Sequence, residues 1–273
     1  MRIYTNASAF SVWKNYNKSV GSLSKSMQKL SSGLGIVRPS DDPAGLAISE
    51  KFRSQIKNSA MAAHNIENKV SWIQTADAWL QTIHDIMGRM SELAIEARDG
   101  TKTAADRDNL DLEFNGLAQE ITQIVTNRAK YNTQTMLNGN NDLVVQVGPD
   151  AGQTFTETAF DVDGEAAIAA AIAGHISTEV LASNMISATN AGVIELANIR
   201  ATLGAEESRL EHTLEGLRSY EENITASESR IRNVDVAKET ANFSKNQILV
   251  QAGTAMLAQA NSMPQNVLAL ING

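Results

Sequence analysis

Residues 13–34 read WKNYNKSVGSLSKSMQKLSSGL. Trp13, Tyr16, Val20, Leu23, Met27, Leu30 and Leu34 alternate at spacings of three and four, the seam of a coiled coil, and predict a helix that requires a partner helix. A second seam lies at the other end of the chain, where Leu249, Ala252, Met256, Met263, Val267 and Leu270 stand in roughly heptad order. Two narrow apolar stripes at opposite termini must pair with each other or with neighbouring copies. Such a chain reads as a structural element and not as an enzyme.

Working inward, Gly33 and Gly35 end the first helix. Arg38-Pro39-Ser40-Asp41-Asp42-Pro43 is a hinge with a restart signal: Asp42 can cap the next helix, and Pro43 suits its first position, where no amide hydrogen is needed. From there Ile66, Val70, Ile73, Ala76, Leu80, Ile83, Met87, Met90 and Ala94 carry the helical spacing to about Arg98, a rod of roughly 80 Å. Asp99-Gly100 stops it. Thr103 to Asp106 resembles a capping box opening a third helix, whose face is Leu110, Phe114, Leu117, Ile121 and Ile124. After Asn138-Gly139 the pattern alternates at Leu143, Val145 and Val147, turns at 148–152 and continues through 153–160. This predicts a single β-hairpin in region 141–163. Residues 166–173 fit a short helix or a packed linker. A second long helix runs from about Ser177 through Leu196, Leu203, Leu210, Leu214, Leu217, Tyr220, Ile224, Ile231 and Val234. The terminal segment contains Gly253 and Pro264, which cost about 1 and 3 kcal/mol in an isolated helix interior, so it is a poor helix alone.

The fold class is therefore all-α, an elongated antiparallel helical bundle or coiled coil with a small β-hairpin at one end. The 273 residues are 42% apolar but only 5% aromatic, which suits long helices meeting through small contacts. The net charge of −8 argues against nucleic acid and against anionic lipid as general partners, because both reward a basic surface. Basic residues are scattered, without a polybasic run. Zero cysteine removes disulfides and thiolate chemistry. No apolar run has the length of a membrane span, and the N-terminus lacks the core of a cleaved signal peptide.

The four histidines, His64, His84, His175 and His212, show no metal-ligand spacing and read as solvated helix-face residues. Glu206, Glu207, Glu211, Glu215, Glu221 and Glu222, interleaved with Arg209, Arg218, Arg230 and Arg232, read as a salt-bridged solvent face and not as a cation site. No catalytic residue, no metal site and no cofactor follow from the sequence.

Two blocks carry a family resemblance. Leu30-Ser31-Ser32-Gly33 with Asp41-Asp42-Pro43-Ala44-Gly45-Leu46-Ala47-Ile48 resembles the N-terminal signature of bacterial flagellins. The stretch QILVQAGTAMLAQANSMPQNVL, residues 247–268, resembles the C-terminal one, and Tyr131-Asn132-Thr133-Gln134 with Leu137-Asn138-Gly139 adds a third match. Gly35, Pro39, Pro43 and Tyr131 depart from the usual pattern and bear on the hinge.

The resemblance implies a subunit that polymerises into the extracellular flagellar filament for swimming motility. Residues 1–42 and 236–273 would form a split terminal, inner-tube domain of paired helices; because one terminal pair in a monomer leaves its other faces wet, these segments are expected to be largely disordered in the monomer and ordered on polymerisation. Residues 43–235 would form a long-helix rod domain, with no large inserted outer domain because so little chain separates the long helices. It further implies export by the flagellar type III route without a cleaved signal peptide. Its partners would be copies of itself, an export chaperone, the cap and the hook-filament junction proteins. Arg89, Leu93 and Glu113 match the patch through which an animal Toll-like receptor senses some flagellins. The alternative there is a charged helix surface with Leu93 in the bundle. A hook-filament junction protein, or a non-flagellar helical protein exported by a type III route, is the alternative for the chain as a whole.

Overall fold

The computed structural model describes residues 6–139, 143–157 and 160–271, with side chains, Glu157 excepted, as far as Met263. Along the chain lie α1 (Ala7–Ser32), α2 (Pro43–Ala97), α3 (Ala104–Gln123), β1 (Lys130–Tyr131), β2 (Gln134–Thr135), β3 (Leu143–Gln146), β4 (Thr154–Glu157), α4 (Ala166–Ile172), α5 (Glu179–Arg232) and α6 (Val236–Ile271). The strands form two separate antiparallel pairs, β1 with β2 and β3 with β4. The fold is thus helical with two minor sheets, as the periodicity requires. The chain divides into two units, Gln55–Glu221 and Met1–Ser54 with Glu222–Gly273.

In Gln55–Glu221 the predicted helix faces form the core. Ile66, Ile73, Ala76, Leu80, Ile83, Met87, Met90 and Ala94 of α2 are all buried, with Val70 packed partly against them. Phe114 and Ile121 of α3 join them, as do Leu196, Leu203, Leu210 and Leu217 of α5, each seven residues from the last. Fully burying one such side chain contributes about 1.5–3 kcal/mol, so this ladder is the main attraction between the helices. The capping box forms as expected: Thr103 Oγ1 accepts from the Asp106 amide at 3.3 Å, and Asp106 Oδ2 accepts from the Thr103 amide at 2.9 Å.

Two details differ from expectation, and one open alternative is decided in favour of a helix. The third helix runs into a π-helical turn, Ile124–Arg128, and then into a second hairpin, β1–β2, where a single hairpin is expected. Its turn residues Asn132 and Thr133 adopt φ of 48° and 69°, the left-handed conformation of a tight two-residue turn. No glycine marks that turn, and two-residue strands are too short to show alternation. Residues 166–172 are helical, with Ile168 and Ala171 buried. Two arginines of α5 cross to α2: Arg200 binds Asp77 through two bonds of 2.6 and 3.2 Å, and Arg218 reaches Glu67 at 2.8 Å. The expected hairpin pairs Leu143 with Glu157 through Gln146 with Thr154. Asn65 Nδ2 donates to the Gln146 carbonyl and Asn58 Nδ2 to that of Pro149, both at 3.3 Å, which seats the hairpin on α2.

In the other unit, α1 and α6 run antiparallel. Asn6 both caps α1, accepting from the Ala9 amide, and donates through Nδ2 to the Ala260 carbonyl at 2.8 Å. Gly33 ends α1 with a φ of 72°. The chain next crosses the break between α5 and α6: the Gly35 amide donates to the Arg232 carbonyl at 2.6 Å, and the Val234 amide donates to that of Gly33 at 3.0 Å. A side chain at Gly35 would stand 3.2 Å from the Asn233 carbonyl, so this close crossing favours glycine. Asp42 Oδ1 accepts from the Gly45 amide, and α2 begins at Pro43, as the restart signal requires. The second long helix stops at Arg232, earlier than its apolar spacing suggests, and Asp235 caps α6 through the Lys238 amide.

Candidate assembly surface

The contact between α1 and α6 keeps Tyr16, Leu23 and Leu30 of the bulky seams and otherwise uses different residues. On α1, Val12, Tyr16, Ser19, Leu23, Ser26 and Leu30 are buried or half-buried; on α6, Phe243, Asn246, Val250, Gly253, Leu257 and Ala260 are. Both sets alternate threes and fours, so each is a true seam. Many members are small. A Cβ on Gly253 would stand 3.0 Å from the Tyr16 ring, so the missing side chain is what lets Tyr16 approach the α6 backbone.

The seam residues expected from sequence divide accordingly. Tyr16, Leu23 and Leu30 turn toward α6, and Leu34 sits half-buried at the crossing beside Asn233. Trp13, Val20 and Met27 do not face α6: Trp13 is 53% and Met27 55% exposed. Phe10, which the seam did not include, stacks on Trp13 with ring centroids 5.9 Å apart and is also exposed. On α6, Leu249, Ala252, Met256 and Met263 are all exposed. The side chains of Val267 and Leu270 lie outside the described residues. What sequence reading missed is the small-residue seam one position away, whose signal was the heptad spacing of Ser19 with Ser26 and of Gly253 with Ala260.

The exposed rows have a definite placement. Trp13, Val20 and Met27 each follow a seam residue by one position, whereas Leu249 and Met256 each precede one. One residue rotates a helix by about 100°. In an antiparallel pair, equal offsets fall on one side of the pair and opposite offsets on opposite sides. The α1 row and the α6 row therefore face away from each other, one aromatic and aliphatic, the other rich in methionine.

The remaining candidates have structural partners. Arg89 donates through Nε and Nη2 to Glu113 Oε1 at 3.0 and 2.8 Å, which holds its guanidinium even further above the ordinary range, while Leu93 is only 1% exposed within the core. His64 lies 3.4 Å from Glu67. His175 is not on a helix face: it occupies the loop between α4 and α5, 3.3 Å from Asp111, whose other oxygen accepts from the Ile176 amide at 2.6 Å. Among the described residues no group of three His, Asp or Glu is placed to hold a metal ion, and no helix is long and apolar enough to cross a membrane. Lys69 is 3% exposed, its ammonium sits 3.5 Å from the Trp72 ring centroid, and burial pushes its pKa down to about 8 against the opposing pull of the Glu206 carboxylate.

Comparison with known proteins agrees at both ends of the chain. Residues 3–142 match the bacterial flagellin N-terminal helical region, and residues 186–271 match the bacterial flagellin C-terminal helical region. The flagellin of Halalkalibacterium halodurans is 41% identical over 99% of this chain and 100% of its own length, and that of Bacillus subtilis is 38% identical over the same shares. The 33 kDa flagellar filament core protein of Treponema phagedenis is 37% identical over 99% of this chain and 100% of its own. Among solved structures, Bacillus cereus flagellin superposes with a TM-score of 0.51 at 28% identity, covering 56% of this chain and 88% of that one. A match that holds at both terminal blocks, and end to end with a relative of nearly the same length, places this chain in the bacterial flagellin family, as a short form without a large outer domain.

Proposed function

We propose that this flagellin, a structural subunit of the extracellular filament that drives bacterial swimming, polymerises by covering its two exposed rows with neighbouring copies. The observation that carries the reading is the opposite placement of the rows on the α1–α6 pair. A subunit with apolar surface on both sides makes head-to-tail contacts, which continue without closing into a small ring or dimer when the rotation between copies does not close. Residues 1–42 and 236–273 then act as the split inner-tube domain, and residues 43–235 as the rod domain. The termini gain order as neighbours bury Trp13, Val20, Met27, Leu249, Met256 and Met263.

Export through the flagellar type III channel, a chaperone on the C-terminal segment, and the cap and junction proteins belong to the same proposal. Its support is the composition of α6, whose Gly253 and Pro264 make it a weak helix in isolation. For the Toll-like receptor, the surface offered is the Arg89–Glu113 ion pair, with Leu93 supporting it from beneath.

Seeded growth tests the assembly reading. The unaltered chain elongates filament seeds into long filaments by electron microscopy. Val20→Asp and Met256→Asp each stop elongation while leaving the helical circular dichroism of the monomer unchanged. Normal elongation by either variant would refute the surface.

A further inference from the structure

The chain has nine methionines and no cysteine, so all of its sulfur is thioether sulfur and no thiol competes for an oxidant. Met87, Met90 and Met136 are buried in the rod core and Met185 is half-buried, whereas Met27, Met61, Met256 and Met263 are exposed. Three of those four stand on the apolar rows: Met27 in line with Trp13 and Val20 on α1, and Met256 and Met263, one heptad apart, in line with Leu249 on α6. Exposed sulfur is thus concentrated where neighbouring copies would pack. Its access to solvent does not require formed helices, because an unfolded segment opens its side chains further. Termini that order only on assembly leave these sulfurs open until a neighbour covers them.

A thioether packs as an aliphatic chain does, yet a peroxide oxidises it without a catalyst. A sulfur lone pair attacks the O–O bond: the S–O bond forms, the O–O bond breaks, and the sulfur-bound oxygen passes its proton to the leaving hydroxide, which departs as water. Sulfur loses the two electrons that the peroxide gains. The sulfoxide is a strong hydrogen-bond acceptor, which an apolar contact leaves without a donor. Oxidation therefore spoils both the surface by which a subunit joins and the one it offers to the next arrival.

We propose that Met27, Met256 and Met263 form an oxidation site, whose conversion to sulfoxide by peroxide removes an unassembled subunit from filament growth. Subunits already in the filament are spared, because their sulfurs are covered. This rests on the assembly reading above, in which both rows are buried by neighbours.

The test treats the full chain with hydrogen peroxide as dilute monomer, checked by light scattering, and as filament, and maps sulfoxides by peptide mass spectrometry. Met27, Met256 and Met263 should oxidise in the monomer and about tenfold more slowly in the filament, since susceptibility follows exposure. Oxidised monomer should need roughly tenfold or more higher concentration to elongate seeds, as expected of an acceptor buried without a donor. Reductases acting on both sulfoxide epimers should restore growth. A chain with Met27→Leu, Met256→Leu and Met263→Leu keeps apolar rows of similar volume and should elongate equally before and after peroxide, whereas Met61→Leu should remain as sensitive as the parent. Normal elongation by monomer fully oxidised at the three positions overturns the oxidation site and leaves the assembly reading standing. So does a loss of growth that the reductases do not reverse, or one equally severe in the triple leucine variant. Oxidation of the three sulfurs in filaments at the monomer rate would instead show the rows uncovered, and both readings would fall together.

Discussion

Gly253 and Tyr16 show how a single missing side chain sets the distance between two helices. A valine at 253 would set its Cβ 3.0 Å from the Tyr16 ring and crowd it further with two methyl groups, and overpacking of this kind costs about 1–3 kcal/mol. Gly253→Val is therefore expected to raise the monomer concentration needed for filament growth, by about tenfold for each 1.4 kcal/mol lost. Tyr16→Ala in the same chain should recover part of the loss, because the ring is the obstacle. A double variant no better than the sum of the singles would exclude this contact as the cause. Lys69 makes a prediction about pH. Its folded pKa of about 8 lies below its ordinary 10.5, so between those values the unfolded chain holds the proton and the folded chain does not. Stability consequently rises with pH across that window and receives no such gain below it. The full shift corresponds to about 3 kcal/mol, which solvent relaxation reduces to on the order of 1–2 kcal/mol. Relative to Lys69→Met, the parent chain should gain a few degrees in Tm between pH 7.5 and 10.5. A constant difference in Tm across that range would sink the assignment.

At the scale of elements, what could be read in advance was whatever long periodicity encodes. The core faces of α2, α3 and α5, the stop at Gly33, the restart at Asp42-Pro43 and the Thr103 box follow from spacing and capping chemistry, and each is present. Thr103→Ala should cost about 1 kcal/mol and lower Tm by 2–4 °C, without altering seeded growth at room temperature. An unchanged Tm would mean that Asp106 and the flanking turn cap α3 unaided. The parts that could not be read share a physical reason. The β1–β2 hairpin and the π-helical turn are too short to carry a period. The α1–α6 seam was displaced by one position because burial is assigned to the bulkiest residues, and here Ser19, Ser26, Gly253 and Ala260 occupy the contact while Trp13 and Met256 remain outside. Small residues allow close approach of two helices, so the large ones become the surface. That inversion is what a helix pair designed to be covered from outside would have.

For the whole molecule, the two ends of the chain depend on each other while Gln55–Glu221 has a core of its own. Deleting residues 1–34 should abolish polymerisation, because α6 loses both its seam partner and the Asn6 bond to Ala260. Circular dichroism and thermal melting should still report a folded helical body. Loss of both together would contradict a division between terminal and rod domains. The two rows on opposite sides of the α1–α6 pair have a stoichiometric consequence. A subunit with Met256→Asp keeps its aromatic row intact, so it can join a growing end but offers no site for the next arrival. It acts as a chain terminator, in the way a nucleotide without a 3′ hydroxyl stops a polymerase. Mean filament length should fall in inverse proportion to its mole fraction, so that about one such subunit in a hundred caps filaments near a hundred copies. A variant damaged on both rows would only dilute the pool, and equal mixtures of the two would tell a poisoned end from a missing monomer.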